Sequence, residues 1–80
     1  MAKYRKKIVE VEAIKWTGVN KDEIMDFGNG KIHIYNNCVF VDTYNGQDIC
    51  SSGYYILKDA NDHLSICRPE SFIANYEQIN

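Results

Sequence analysis

The chain has 80 residues, of which 45% are hydrophobic and 25% are charged, and its formal net charge at pH 7 is −2. This length allows one domain with a small core, over residues 1–80, and excludes a second one, while the composition excludes a disordered chain. The slight acidic excess is not typical of proteins that bind duplex nucleic acid, because those need a basic face against the phosphates.

A first strand is predicted over residues 8–16, where apolar and charged side chains alternate as in a half-buried strand. One face carries Glu10 and Glu12, and near the end of the strand Ile14 and Trp16 fall on this same face. Either a bulge shifts the register, or the strand enters a region that is covered on both sides. We favour the second interpretation and expect Trp16 to be partly buried. The opposite face carries Val9, Val11 and Ala13.

A short helix is predicted from Lys21 to about Phe27. Asn20 is a favourable N-cap residue, and Glu23 follows three positions later, where its side chain is placed to close a capping box. Gly28 is expected to supply the left-handed residue that ends the helix.

From residue 31 to residue 68 the sequence predicts an antiparallel meander, because short alternating runs are separated by turn residues. The spacing of about 8 to 11 residues per strand suits hairpins rather than parallel crossovers. The runs are KIHIYN, CVFVDT, QDIC, YYILK and HLSICR, and the expected inward residues are Ile32, Ile34, Val39, Val41, Leu64 and Ile66.

A last helix is predicted to begin at Pro69, since proline is favoured at the first helical position. Phe72 and Tyr76 then lie four residues apart on one helix face. We therefore predict an α+β domain: a mostly antiparallel sheet of about five or six strands, open or rolled into a half-barrel, with one helix after the first strand and one at the C-terminus. Exposed sheet edges on so small a core favour a homodimer or a higher oligomer.

The cysteines Cys38, Cys50 and Cys67 are odd in number, and their spacing fits neither a zinc site nor a disulfide framework. We expect all three to be reduced and to act as small buried side chains. The basic start of the chain is followed by a segment with two glutamates, and the sequence has no run of about 18 apolar residues. These features predict a soluble, cytoplasmic protein that does not associate with a membrane.

The sequence offers little for catalysis. His33 and His63 lie outside any metal-ligand pattern, and nucleophile elbows, phosphate-binding glycine loops and paired metal carboxylates are lacking. We therefore expect surface histidines, no metal, no cofactor and no enzymatic activity. His33 and Tyr35 share the polar face of one strand, where they are placed to contact a ligand.

Aromatic residues are the most distinctive feature, and most of them lie in or beside predicted strands. They are expected to be either core and rim residues or platforms on which a base or nucleotide stacks. Arg68 ends a strand just before Pro69, so its guanidinium and the free N–H groups of the helix are placed to meet an anion. The candidate ligand-binding residues are Trp16, Tyr35 and Tyr54 for stacking, and Arg5, Lys58 and Arg68 for anion contacts.

The adjacent Tyr54 and Tyr55 face opposite sides of their strand, because strand side chains alternate. If Ile56 points inward, Tyr54 points inward with it, and Tyr55 lies on the side of Leu57. One ring of the pair therefore belongs to each surface of the sheet.

Four segments are distinctive as a set: YRKKIVEVEAIKWTG (residues 4–18), the following N..EI..F, GYYILKD (53–59) and CRPESFIANYEQI (67–79). Together they resemble a family of small proteins common in phages and prophages of Firmicutes, related to the PGDYG-motif proteins. The family pattern begins YRKKPVxVEAIxWTG, has a GDYIIKG turn and ends CxPxxFxxxYE, so the resemblance covers nearly the whole chain.

The chain departs from the family pattern at two positions. Ile8 replaces the proline, which removes a bend and lets the first strand pair earlier. Tyr54 replaces an aspartate that is expected to fix the turn by bonding backbone amides. Because the pattern keeps the second aromatic residue, Tyr55 is expected to be the structural ring and Tyr54 the ring open to a particular role.

The resemblance implies a phage-type accessory product that acts in the bacterial cytoplasm. The expected function is a non-enzymatic binding protein that sequesters or blocks a component of host defence, with a nucleotide signal as one ligand class. The alternative is a protein–protein inhibitor or adaptor, anti-CRISPR-like or directed at another host factor, which uses a sheet edge or an acidic surface.

Overall fold

The computed structural model describes residues 2–3 and 10–79. It confirms the α+β prediction, with six strands and two helices in the expected positions. The first strand is shorter than predicted, and the part of its predicted range before Glu10 lies outside the described residues. The elements are β1 (Glu12–Lys15), α1 (Lys21–Gly28), β2 (Ile32–Tyr35), β3 (Cys38–Thr43), β4 (Gly46–Cys50), β5 (Tyr55–Lys58), β6 (Leu64–Cys67) and α2 (Pro69–Asn75).

The sheet consists of two three-stranded groups. In one group β5 lies between β1 and β6, and in the other β3 lies between β2 and β4, with all four pairings antiparallel. A single parallel pairing, between Thr43 of β3 and Leu64 of β6, joins the two groups. The sheet is therefore mixed, and it curls into a half-barrel.

The hairpin between β2 and β3 shows why the sequence folds locally as predicted. Asn36 and Asn37 both have positive φ values, 50° and 65°. Asparagine tolerates this left-handed region, and two such residues in a row match the twist of antiparallel strands. The register that follows pairs Tyr35 with Cys38 and Ile32 with Val41.

The core fills the inside of the curl. The predicted inward residues Ile32, Val39, Val41 and Leu64 are buried, and Ile34 and Ile66 pack against them. Trp16 is only 2% exposed, so its burial is more complete than the partial burial predicted. The remaining buried members of the core cluster are Ile24, Cys50 and Ile56.

The two helices lie on opposite sides of the sheet. Ile24 of α1 is completely buried in the core, so α1 closes the inside of the curl. Phe72 of α2 stacks on Tyr55, whose strand neighbour Ile56 points into the core. Because strand side chains alternate, α2 must cover the outer surface of β5.

Both ends of α1 differ from the predicted caps. The side chain of Asn20 does not bond the helix; its Oδ1 accepts from Thr17 and its Nδ2 donates to the carbonyl of Lys15. The predicted capping box is therefore wrong, because the asparagine ties β1 to the helix instead. The left-handed residue after the helix is Asn29, not Gly28, which is the last helical residue and packs against Ile32.

Candidate functional site

Two of the residues predicted to stack a ligand belong to the core. Trp16, predicted to stack a ligand, is 2% exposed, so neither face of its ring is open to one in this structure. Tyr54 is half-buried and packs against the core cluster. Backbone bonds hold the two together: the N–H of Trp16 donates to the carbonyl of Tyr54, and the N–H of Gly53 donates to the carbonyl of Trp16.

The other predicted ligand-binding residues are dispersed. Tyr35 is 72% exposed at the end of β2. The ammonium of Lys58 lies 4.5 Å from the centre of the Phe27 ring, so it is held on the inner side of the sheet by α1. Arg68 is exposed and precedes α2, and Arg5 lies outside the described residues. Of this set, the side chains that the structure describes do not come together in one nucleotide pocket.

A stack of three aromatic rings does form, on the outer side of β5. The ring centres of Tyr55 and Phe72 are 3.9 Å apart, and their planes differ by 10°. The next ring along α2, Tyr76, lies 5.3 Å from Phe72 at 17°. Aromatic pairs in favourable geometry are worth about 0.5–1.5 kcal/mol beyond the area that they bury. The stack therefore fixes α2 on the sheet through its aromatic face.

An open groove of about 1130 Å³ lies beside this stack, and we call it the aromatic groove. It is lined by the three rings and by three segments, residues 10–13, 58–60 and 75–79. Tyr76 is 38% exposed and Ile79 is 61% exposed, so apolar surface stays open to solvent along it. Small-molecule pockets are usually enclosed and hold about 300–1,000 Å³. A groove that is larger and open on one side is better suited to a stretch of polypeptide.

The charges that line the aromatic groove are mostly negative: Glu10, Glu12, Asp59 and Glu77 against the single ammonium of Lys58. Asp59 accepts hydrogen bonds from the backbone N–H groups of His63, at 2.9 Å, and Asn61, at 2.8 Å. These bonds, chiefly the one from the N–H of His63, lower the pKa of the Asp59 carboxyl below its ordinary value. Asp59 is therefore ionised at neutral pH.

A second exposed surface covers the outer side of β2, β3 and β4, which we call the open face. In its central row His33 pairs with Phe40 and Phe40 with Ile49, and Ile49 is 56% exposed. Neither of the two described helices covers this face. Its residues are His33, Tyr35, Cys38, Phe40, Asp42, Gln47 and Ile49, none of them a lysine or an arginine.

A polar network occupies one end of the open face. Nε2 of His33 lies 3.0 Å from Oδ2 of Asp42, and the amide of Gln47 donates to the other carboxylate oxygen at 3.2 Å. The hydrogen bond to His33, followed by that to Gln47, lowers the pKa of Asp42. Across the described residues, no group of three or more His, Cys, Asp or Glu side chains is placed to hold a metal ion.

The sequence predicts the faces that carry the three rings of the aromatic groove, but it does not predict that these faces meet. Alternation places Tyr55 with Leu57 on one sheet face, and the four-residue spacing puts Phe72 and Tyr76 on one helix face. The missing information was which side of the sheet α2 covers. β6 ends at Cys67 and α2 begins at Pro69, and nothing in the sequence between them indicates which side of the sheet the helix covers.

No protein-family model matches the chain, and comparison with curated proteins and with solved structures gives no significant match either. No helix within residues 10–79 is long and apolar enough to cross a membrane. The geometry of the aromatic groove and of the open face is therefore the basis for a functional proposal.

Proposed function

We propose that the chain is a non-enzymatic, phage-type accessory protein that blocks or sequesters a component of bacterial host defence by taking a segment of a partner protein into the aromatic groove. The observation that carries the proposal is the apolar lining left in solvent beside the ring stack, at Tyr76 and Ile79. Exposed apolar surface of this kind is typical of interaction sites on small soluble proteins.

The phage and host-defence setting comes from the resemblance of the opening and closing motifs. The non-enzymatic role is supported by the sequence, which offers no nucleophile paired with a base. A small protein without chemistry of its own acts by occupying a surface, and blocking requires only affinity and position.

A protein partner is favoured here over a nucleotide signal by the positions of the candidate residues. Stacking needs an open ring beside a cation that meets the phosphate. Trp16 is buried, and the ammonium of Lys58 faces the Phe27 ring. Tyr35 lies on the open face, whose residues include no lysine or arginine. The aromatic groove has the room and the apolar lining that a peptide needs.

The test is capture of a partner from bacterial lysate by the tagged chain, followed by measurement of the affinity with purified components. Ile79→Ser removes apolar surface from the aromatic groove and should weaken binding about tenfold or more. Ile73→Ser is the matched control, because Ile73 is 74% exposed on α2 and does not line the groove. Its affinity should equal that of the unchanged chain.

Equal affinities for the Ile79→Ser and Ile73→Ser variants would contradict the proposal, as would the absence of any specific partner. A panel of cyclic and linear nucleotides, screened by thermal shift, tests the other ligand class. A nucleotide at about 100 times its dissociation constant adds about 2.7 kcal/mol to the stability, so a bound nucleotide would be visible as a raised melting temperature. Such a shift would replace the peptide by a nucleotide as the ligand.

A further inference from the structure

We infer that the aromatic groove selects a basic, extended peptide segment that carries apolar side chains. This inference rests on the proposed function and names the chemistry of the partner's segment. Two features of the groove carry it: its charge and its position at the end of the sheet.

The charge of the groove lining is negative, and its one described cation, Lys58, is turned towards another element of the fold. Lys58 and its cross-strand partner Glu12 share the inner side of the sheet, because they alternate with Leu57 and Ala13. The ammonium of Lys58 is accordingly found over Phe27 of α1. The lining carboxylates therefore outnumber the lining ammonium, which is held over an aromatic ring.

Four carboxylates line the groove, belonging to Glu10, Glu12, Asp59 and Glu77, against the one ammonium of Lys58. Glu10 and Glu77 are exposed, and Asp59 keeps its charge through its backbone hydrogen bonds. Lys15 lies on the same side of the sheet as Tyr55, with its ammonium 6.0 Å from the centre of that ring, and is not part of the groove lining. Unlike charges attract a ligand and like charges repel it, so an acidic segment is disfavoured and a basic one is favoured.

The apolar part of the ligand follows from the lining between these carboxylates. Tyr76 and Ile79 offer exposed apolar surface, and Val11 is half-buried on the opposite wall. Burying an aliphatic side chain against such surface is favourable in proportion to the apolar area removed from water. The ligand therefore needs apolar side chains between its cations.

An extended conformation is favoured by the neighbouring sheet edge. Strand β1 pairs with β5 on one side and, among the described residues, with no strand on the other. An unpaired edge presents backbone N–H and C=O groups to which an added strand bonds. A peptide with alternating side chains is able to pair with β1 while every second side chain faces the groove.

The defined probe is a fluorescent eight-residue peptide of the order Lys-Ser-Leu-Ser-Lys-Ser-Leu-Ser, so that one face of the extended chain carries lysine and leucine in turn. Matched peptides with glutamate or serine in place of both lysines separate charge from apolar contact. We expect the lysine peptide to bind the full chain about tenfold more tightly than the glutamate peptide, with the serine peptide between them. The affinity of the lysine peptide should fall as the ionic strength rises towards physiological values.

The matched variants neutralise carboxylates in pairs. The double variant Glu10→Gln and Glu77→Gln should bind the lysine peptide at least about fivefold more weakly and lose most of the salt dependence. The control double variant Glu23→Gln and Glu70→Gln removes the same charge from α1 and α2 outside the groove. It should bind the lysine peptide as the unchanged chain does.

Equal binding of the lysine and glutamate peptides, or equal losses in the two double variants, would overturn the inference. The proposed function fails separately, when the affinity for a captured partner does not depend on Ile79. If that affinity depends on Ile79 but not on Glu10 and Glu77, then the groove binds a partner whose segment is not basic. Charge-independent binding of this kind would refute this inference while leaving the proposed function standing.

Discussion

The ring of Tyr55 lies against the ring of Phe72 at 3.9 Å between centres, with their planes nearly parallel. Its chain neighbour Tyr54 packs on the other side of the sheet, against the core cluster. Two adjacent tyrosines therefore serve opposite surfaces: one anchors α2, and the other completes the core. The expectation that Tyr54 is the ring free for a particular role is not supported by this packing, whereas Tyr55 lines the aromatic groove.

Replacing Tyr54 tests that assignment. The Tyr54→Asp substitution removes ring packing and places a carboxylate against the core, so it should lower the free energy of unfolding by about 2 kcal/mol or more. For a domain of this size the melting temperature should fall by about 10 °C. Tyr54→Phe keeps the packing and should change the stability little. Unaltered melting of the Tyr54→Asp variant would show that the ring is not part of the core.

Gly28 should be sensitive to the smallest possible side chain. A Cβ atom at this position would lie 2.5 Å from Cγ1 and 2.8 Å from Cβ of Ile32, which is itself 1% exposed. The gain in helix propensity of Gly28→Ala is outweighed by this overlap, and we expect a net loss of about 1–3 kcal/mol. Denaturant unfolding measures it. The cost of Gly28→Ala should be smaller in an Ile32→Ala background, which lacks Cγ1 and Cδ1, and an equal cost in both backgrounds would argue against the overlap as its cause.

The pKa of Asp42 should be visible in its titration. Its hydrogen bonds to His33 and Gln47 hold the folded-state pKa below the ordinary value of 3.8. A lowered pKa of this kind stabilises the fold above the unfolded-state value, and the contribution disappears as the pH falls through the folded-state value. NMR titration of the carboxyl carbon should give a midpoint below 3.8, and His33→Gln should raise it. A midpoint at or above 3.8 in the unchanged chain would contradict the hydrogen bonding described.

The three free cysteines should react at different rates with a thiol reagent. Cys38 is exposed and should be labelled first in the folded protein, whereas burial raises the pKa of the Cys50 thiol to about 11. Because the thiolate is the reactive form, Cys50 should react only after unfolding. Mass spectrometry of labelled peptides distinguishes the sites, and Cys38→Ser should remove the fast phase. Rapid labelling of Cys50 in the folded chain would show that its site opens readily.

Much of the fold could be predicted from the sequence because its signals are local. Alternation identified the strands from β2 to β6, and Pro69 marked the start of α2. The errors also have local causes. Asn20 has two possible partners, the helix and the preceding strand, and the sequence does not rank them. Cys38 was expected to be buried but is exposed. Its chain neighbour Val39 faces the core, so Cys38 faces the outer side of β3.

The candidate site could not be predicted to the same extent, since it depends on tertiary packing. Periodicity predicted that Phe72 and Tyr76 share one face of α2 and that Tyr55 lies on the face of β5 that carries Leu57. It did not give their contact, and it did not show that Trp16 is too deeply buried to meet a ligand. Whether a side chain is buried depends on which elements pack over it, and in this fold those elements come from distant parts of the sequence.

The strand pairings differ in the length of chain that they close, and this difference predicts the order in which they form. The group β2, β3 and β4 closes through two short hairpins, whereas β1 and β5 pair residues that are 40 to 46 positions apart. Contacts that close long loops form later on average. We expect the meander to assemble first and the capture of β1 by β5 to limit the folding rate. Mutations in β3 should then slow refolding, and mutations in β1 at the same loss of stability should mainly speed unfolding.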